Sequence, residues 1–208
     1  GSADLEVSSL TPDVIAVMRK DPALEITEAP GTNYAYVAMN FDDPTLARRE
    51  VRQALASATD RESIVRYLYR GLARLAGSIL PPESWAYQGM VAQYPYDPAR
   101  AEKLLDDAGF PRKQELSGMR LHLTLKTSTD ETARLLGAAL QEQWRRVGVN
   151  LELRSLETAT FFSDIGKGSF QLYTLRWIGG NNDPEIFEVF NSQRMPPNGS
   201  NRGHYRNP

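Results

Sequence analysis

The sequence predicts an α/β domain, a mixed sheet flanked by helices, and three observations carry that prediction. Apolar residues recur at three- and four-residue steps through 42–71, 98–108 and 131–147, the spacing of amphipathic helices. Residues 33–40 and 121–126 alternate apolar and polar side chains, the period of a strand with two usable faces. Residues 121–153 read strand, helix, strand with short links, a βαβ unit that calls for a right-handed crossover and parallel strands.

Length and charge narrow the functional classes. A chain of 208 residues is long enough for one sizeable domain. Hydrophobic content of 41% and charged content of 24% are ordinary for a globular protein. The net charge of −2 lacks the basic excess that nucleic-acid binding requires. The absence of cysteine removes disulfides, thiolate nucleophiles and cysteine-ligated metals. No apolar run approaches the ~18–20 residues of a membrane helix. Gly1-Ser2 reads as a cloning scar and the chain stops abruptly at Asn207-Pro208, so a lobe cut from a longer protein is expected, spanning 3–208.

The elements follow in order. Residues 3–10 are expected to form a strand. Thr11-Pro12 opens a helix with Val14, Ile15 and Met18 on its buried face, because proline at the first helical position has no N–H to lose. Residues 24–29 read as a short strand, and 33–40 as a longer one. In the helix pair of 42–71, Val51, Ala54, Leu55 and Ala58 face the core. Thr59 with Glu62 fits a capping box, Ile64, Val65, Leu68 and Tyr69 follow, and Gly71 closes the second helix. Residues 72–85 read as an extended loop with Trp85 near its tip. Asp97-Pro98 starts a helix burying Ala101, Leu104, Leu105 and Ala108. Ser128 with Glu131 is a second capping-box pattern before the helix of Leu135, Leu136, Ala139, Leu140, Trp144 and Val147. A short helix is expected over 160–165 and a strand over 170–177. Asp183-Pro184 opens a last helix with Ile186, Phe187 and Phe190 inward, and the chain from 193 onward reads as loop.

Catalytic patterns are weak. Two histidines, His122 and His204, stand far apart, with no ligand cluster at metal spacing. Gly166-Lys167-Gly168-Ser169 lacks the leading glycine and the Gly-Lys-Ser order of a phosphate loop. A carboxylate-using enzyme would have to draw on Asp97 with Glu102, or Asp183 with Glu185. Acids at helix starts are ordinarily capping and dipole features. The most site-like stretch is Arg176–Pro184, RWIGGNNDP. There a strand ends in Trp177, and Gly179, Gly180 and Asn181 form a turn that tolerates unusual backbone angles and exposes main-chain donors. Ligands in open α/β sheets bind beyond the carboxyl ends of strands, which is where this turn falls.

Several strings, read together, resemble one family. VRQALASATDRESIV, the ILPPESWAY loop, YDPARAEKLLDDAGF, LQEQWRRVGVNLEL and WIGGNNDPEIF look like their counterparts in the oligopeptide/dipeptide/nickel-type solute-binding proteins of ABC importers, in the same order and over nearly the whole chain. The resemblance implies one lobe of a two-lobed periplasmic-binding-protein-like fold that closes on its ligand by hinge motion. It implies a non-enzymatic, extracytoplasmic protein without cofactor that captures peptide or a related small solute. The partners would be ABC permease subunits and a second lobe of the same chain. Membrane contact would come only through the permease or an anchor outside this segment.

The resemblance also assigns a ligand surface, namely Trp177, Gly179, Gly180, Asn181 and Thr127, with Trp85 as a further member. Two positions depart from the family pattern. Gly180 stands where peptide-binding members carry an Asp for the peptide amine. Thr127, beside Lys126, stands where dipeptide-type members carry an Arg for the carboxylate. Each missing charge-assisted hydrogen bond is worth ~1.5–3 kcal/mol. The solute is therefore expected to be a longer peptide held through its backbone, or a non-peptide such as an oligosaccharide. A protein-interaction module is the remaining alternative.

Overall fold

A computed structural model describes residue 5 and residues 10–89, 91–178 and 186–206. Its elements are α1 (Pro12–Met18), β1 (Tyr34–Met39), α2 (Arg49–Ser57), α3 (Arg61–Ser63), α4 (Pro98–Asp107), β2 (Leu121–Ser128), α5 (Glu131–Arg146), β3 (Val149–Leu156), α6 (Thr158–Gly166), β4 (Leu172–Trp177) and α7 (Ile186–Phe190). The four strands form one sheet in the order β1-β4-β2-β3. β2 runs parallel to β3 and to β4, and β1 runs antiparallel to β4 from Tyr34↔Trp177 to Met39↔Leu172. The sheet is mixed, and the βαβ unit is β2–α5–β3, as its alternation predicts.

The pleat divides the sheet into two faces. One face carries Val37, Met39, Leu123, Leu125, Leu151 and Leu172, and packs with Leu55, Leu105, Leu140 and Trp144 from α2, α4 and α5 into the main core. The other face carries Tyr36, Ala38, Tyr173 and Leu175, which pack with Phe161 and Ile165 of α6 and with Phe170. Burial of each such Leu or Phe side chain stabilises the fold by about 1.5–3 kcal/mol.

Polar contacts then fix where the helices end. Trp144 is fully buried, and its indole N–H donates to the Thr59 hydroxyl at 2.9 Å while that hydroxyl donates to the Leu55 carbonyl at 2.7 Å. Gln143 of α5 accepts from the Asp60 backbone N–H at 2.9 Å. Thr59 is therefore engaged with α5, and the expected Thr59–Glu62 capping box does not form. Asp60 caps α3 instead, accepting from the Ser63 N–H. In the same way Asp130, not Ser128, caps α5 by accepting from the Ala133 N–H, because β2 continues through Ser128. Asp97 caps α4 as read.

α3 widens into a π-helical turn over Ile64–Leu68, and Arg70 and Gly71 then take left-handed backbone angles. Residues 24–29 form no strand. α1 buries none of its residues, and Val14 is 42% exposed. An Asp13–Arg70 ion pair holds the helix from outside the core. The expected strand of 3–10 and the Asp183-Pro184 helix start lie outside the described residues. So do the side chains of Ile186 and Phe187, while Phe190 is exposed. Residues 191–206 form no helix or strand, as read.

At the amino end of β2, Arg120 enters the interior with its side chain 1% exposed. It donates to Asp106 at 2.7 Å and to Glu102 at 3.1 Å, and Arg112 donates to the same Glu102. A buried guanidinium needs such carboxylates to offset its lost hydration. Gly148 is packed against this group at φ +84. A Cβ there would lie 2.8 Å from the Gly118 carbonyl oxygen and 2.9 Å from Arg120 Cγ.

Candidate carboxyl-edge binding surface

The parallel strands β2, β3 and β4 end together at one edge of the sheet, and β1 starts there. Because β1 is antiparallel, Tyr34 sits opposite Trp177 and Tyr36 opposite Leu175, all on one face. The Tyr36 ring lies 6.3 Å from Trp177 and 6.1 Å from Tyr34, each at 20° between planes. At its inner end Tyr36 meets Tyr173 edge-on at 6.1 Å, and Tyr173 meets Phe170 at 4.8 Å and Phe161 at 6.2 Å. A ladder of rings thus runs from the α6 core to the carboxyl edge. Such pairs contribute about 0.5–1.5 kcal/mol each beyond their buried area.

The ladder is buried at its root, where Tyr173 is 3% exposed. Burial pushes the Tyr36 hydroxyl far above the ordinary tyrosine range, and the neighbouring Tyr173 hydroxyl adds to the rise while Arg202 opposes it. Burial also raises Tyr34, against the charge of Arg61. Beyond Trp177, Ile178 is 75% exposed. On the helix side of the same edge, burial raises Tyr69, which feels the charges of Arg176 and Asp130. These tyrosines stay neutral hydrogen-bonding groups at physiological pH.

The residues assigned from sequence fall into three sets. Trp177 is half-buried at the edge, within the ladder. Gly179, Gly180 and Asn181 lie outside the described residues. Thr127 is a correction, being 2% exposed on the opposite face, under α5. A Cβ on Gly137 would be 3.6 Å from its methyl, so its side chain fills the core. The pleat is the reason, since Thr127 shares a face with Leu123 and Leu125. Trp85 stands on the 72–97 loop, 79% exposed. Tyr34 and Tyr36 are members that sequence reading missed. Their alternation was visible, but the β1–β4 register that brings them to Trp177 was not.

The other candidates raised by the sequence are engaged in structural contacts or lie outside the described residues. Glu102 is held by Arg112 and Arg120, and its hydrogen bond from Arg112 keeps its carboxyl below the usual range. With Asp97 capping α4, that pair has no free carboxylate chemistry; Asp183 and Glu185 lie outside the described residues. His122 contacts Glu152 and Asn150 on the exposed sheet face. Among the described residues no group of three His, Cys, Asp or Glu is placed to hold a metal ion. A surface hollow of about 460 Å³ lies at the amino ends of β2 and β3 beside Arg120 and His122, away from the ladder.

The mixed sheet flanked by helices is shared with solute-binding proteins of known structure. Residues 1–193 match the bacterial extracellular solute-binding proteins, family 5 Middle, and the chain belongs to that family. It is 30% identical over 187 residues to heme-binding protein A of Haemophilus influenzae, covering 90% of this chain and 34% of that protein. It is 29% identical over 174 residues to di/tripeptide-binding protein 1 of Pseudomonas aeruginosa, covering 84% and 32%. The solved structure of NikZ from Campylobacter jejuni in complex with Ni(L-His) superposes with a TM-score of 0.84 at 28% identity, over 95% of this chain and 41% of that one. The chain therefore spans about a third of the length of the curated relatives it matches.

Proposed function

We propose that this chain is one lobe of the solute-binding component of an ABC importer, working outside the cytoplasm. It captures peptide or a related small solute against its carboxyl edge, with a second lobe of the same protein closing the other side and ABC permease subunits receiving the solute. The observation that carries this reading is the Tyr34–Tyr36–Trp177 ladder at the edge where parallel strands end. It offers a rigid apolar platform at the end of the sheet where ligands of open α/β folds bind. The relatives are named for di/tripeptides and heme, and the superposed structure holds a nickel–histidine complex. Those names support a small-solute reading across chemically different cargoes.

Within that range, the sequence favours a solute held by stacking and main-chain contacts. Gly180 offers no carboxylate for an amine, and the buried Thr127 offers no cation for a carboxylate. Native mass spectrometry of the gently purified parent protein tests the reading. A ladder of peptide masses is the expected result, and protein that never retains a small molecule would count against it. Trp177→Ala in the parent protein should weaken solute binding about tenfold, a loss of ~1.4 kcal/mol. Calorimetric titration showing unchanged affinity would remove Trp177 from the site.

A further inference from the structure

We propose that the outer face of α2 carries a second recognition site, which takes the carboxylate side chain of an acidic segment in a partner protein. Arg49, Arg52, Gln53, Ala56 and Tyr94 line a surface hollow of about 210 Å³. Pockets for whole small molecules run about 300–1,000 Å³, so this one is sized for a single side chain.

Arg52 is the centre of the site. It is half-buried and rigidly held. Its Nη1 donates to the Leu46 and Ala47 carbonyls at 2.8 and 2.7 Å, and its guanidinium sits 4.4 Å over the Phe41 ring. Among the described residues it makes no ion pair, and its Nε and Nη2 make no hydrogen bond. A half-buried cation without a counter-ion is costly, and a carboxylate approaching its free edge would offset that cost through bidentate hydrogen bonds. Burial accordingly disfavours its charged form, with Glu50 opposing that effect and Arg49 adding to it; Tyr94 and Tyr205 are its other titratable neighbours.

Two of the surrounding acids are committed elsewhere. Asp42 is paired with His204 and Arg206, and Asp43 accepts from the Thr45 and Leu46 N–H groups and from Gln171. Glu50 is exposed and makes no ion pair among the described residues. Arg49, exposed at the rim, is likewise unpaired there, so two guanidiniums converge on one hollow. The Tyr94 hydroxyl accepts from Gln53 at 3.2 Å, which fixes the opposite wall. Ala56 and the tyrosine ring give the hollow an apolar side. A Glu or Asp side chain, with methylenes below its carboxylate, matches both halves better than a free anion does. The site shares no residue with the aromatic ladder and stands independently of the solute reading.

The test is a ¹⁵N NMR titration of the 208-residue chain with an end-blocked Glu-rich peptide, its Gln counterpart, sodium acetate and inorganic phosphate. The Glu peptide should shift the Arg52 Nε–H resonance and the amides of Arg49 and Gln53, and the Gln peptide should not. Arg49→Glu, an exposed change that leaves the Phe41 contact intact, should weaken the apparent Kd at least fivefold. Equal responses to the Glu and Gln peptides, or an unchanged Kd in Arg49→Glu, would overturn the proposal. So would acetate or phosphate reproducing the peptide shifts at equal concentration, which would leave an adventitious ion only. Shifts confined to Trp177 and Tyr34 would place the peptide on the solute surface and overturn it as well.

Discussion

Two residues show how tightly single positions are determined. Gly148 joins α5 to β3 in a left-handed conformation and lies against Arg120, where no side chain fits. Gly148→Ala is expected to destabilise the fold by about 1–3 kcal/mol, from backbone strain and displacement of the buried guanidinium. Urea unfolding followed by circular dichroism would check this, and an unchanged midpoint would refute it. Trp144 makes the second case. Trp144→Phe keeps most of the apolar volume but deletes the donor to Thr59, for an expected loss of about 1–3 kcal/mol. A double-mutant cycle with Thr59→Val should show coupling between the two, and strict additivity would mean that the hydrogen bond contributes nothing.

At the scale of elements, sequence periodicity reported most of what local chemistry dictates. Val51, Ala54, Leu55 and Ala58 repeat at helical spacing because one face of α2 is buried, and all four are buried. Leu121, Leu123 and Leu125 alternate because β2 has two unlike faces. Caps were less legible. Thr59 and Ser128 have capping chemistry, but a tertiary donor claims the first and a longer strand the second. The candidate surface was half legible. Trp177 announced itself by its place before a glycine-rich turn. Thr127 was assigned by its place in the family pattern, and place along the chain does not say which face a strand residue occupies. Tyr34 and Tyr36 join the site only through pairing with β4, a relation between distant segments that no local pattern encodes. The buried face read for α1 fails for a related reason. Its apolar spacing is real, but among the described residues Ile15 and Met18 are only partly buried and Val14 is exposed.

At the scale of the whole molecule, the chain's last described segment is tied back to the end of β1. Asp42 pairs with His204 at 2.5 Å and Arg206 at 2.7 Å, Phe41 packs edge-on against Tyr205 at 5.3 Å, and the buried Asn201 bridges Asn191 and Tyr205. The hydrogen bonds from His204 and Arg206 hold the Asp42 carboxyl below its ordinary value. A carboxyl depressed on folding stabilises the protein above its unfolded pKa, near 4, and that contribution fades as pH falls through the lower folded value. Glu102 acts in the same direction. Stability should therefore decline below about pH 4, modestly for each of these solvent-screened groups. Asp42→Asn should flatten that drop and speed amide exchange in 201–206, and a variant titrating like the wild type would exclude the tie as its source. The β1–β4 pairing has a kinetic counterpart. Strand β1 is made early, yet its one strand partner among the described residues is β4, whose residues arrive after α5, β3 and α6. Joining Tyr34 to Trp177 closes a long loop, and such long-range contacts slow folding. The nascent chain must therefore hold its tyrosine-rich strand unpaired until nearly the whole domain has been synthesised, and pulse-labelled amides of β1 should be the last in the sheet to gain protection.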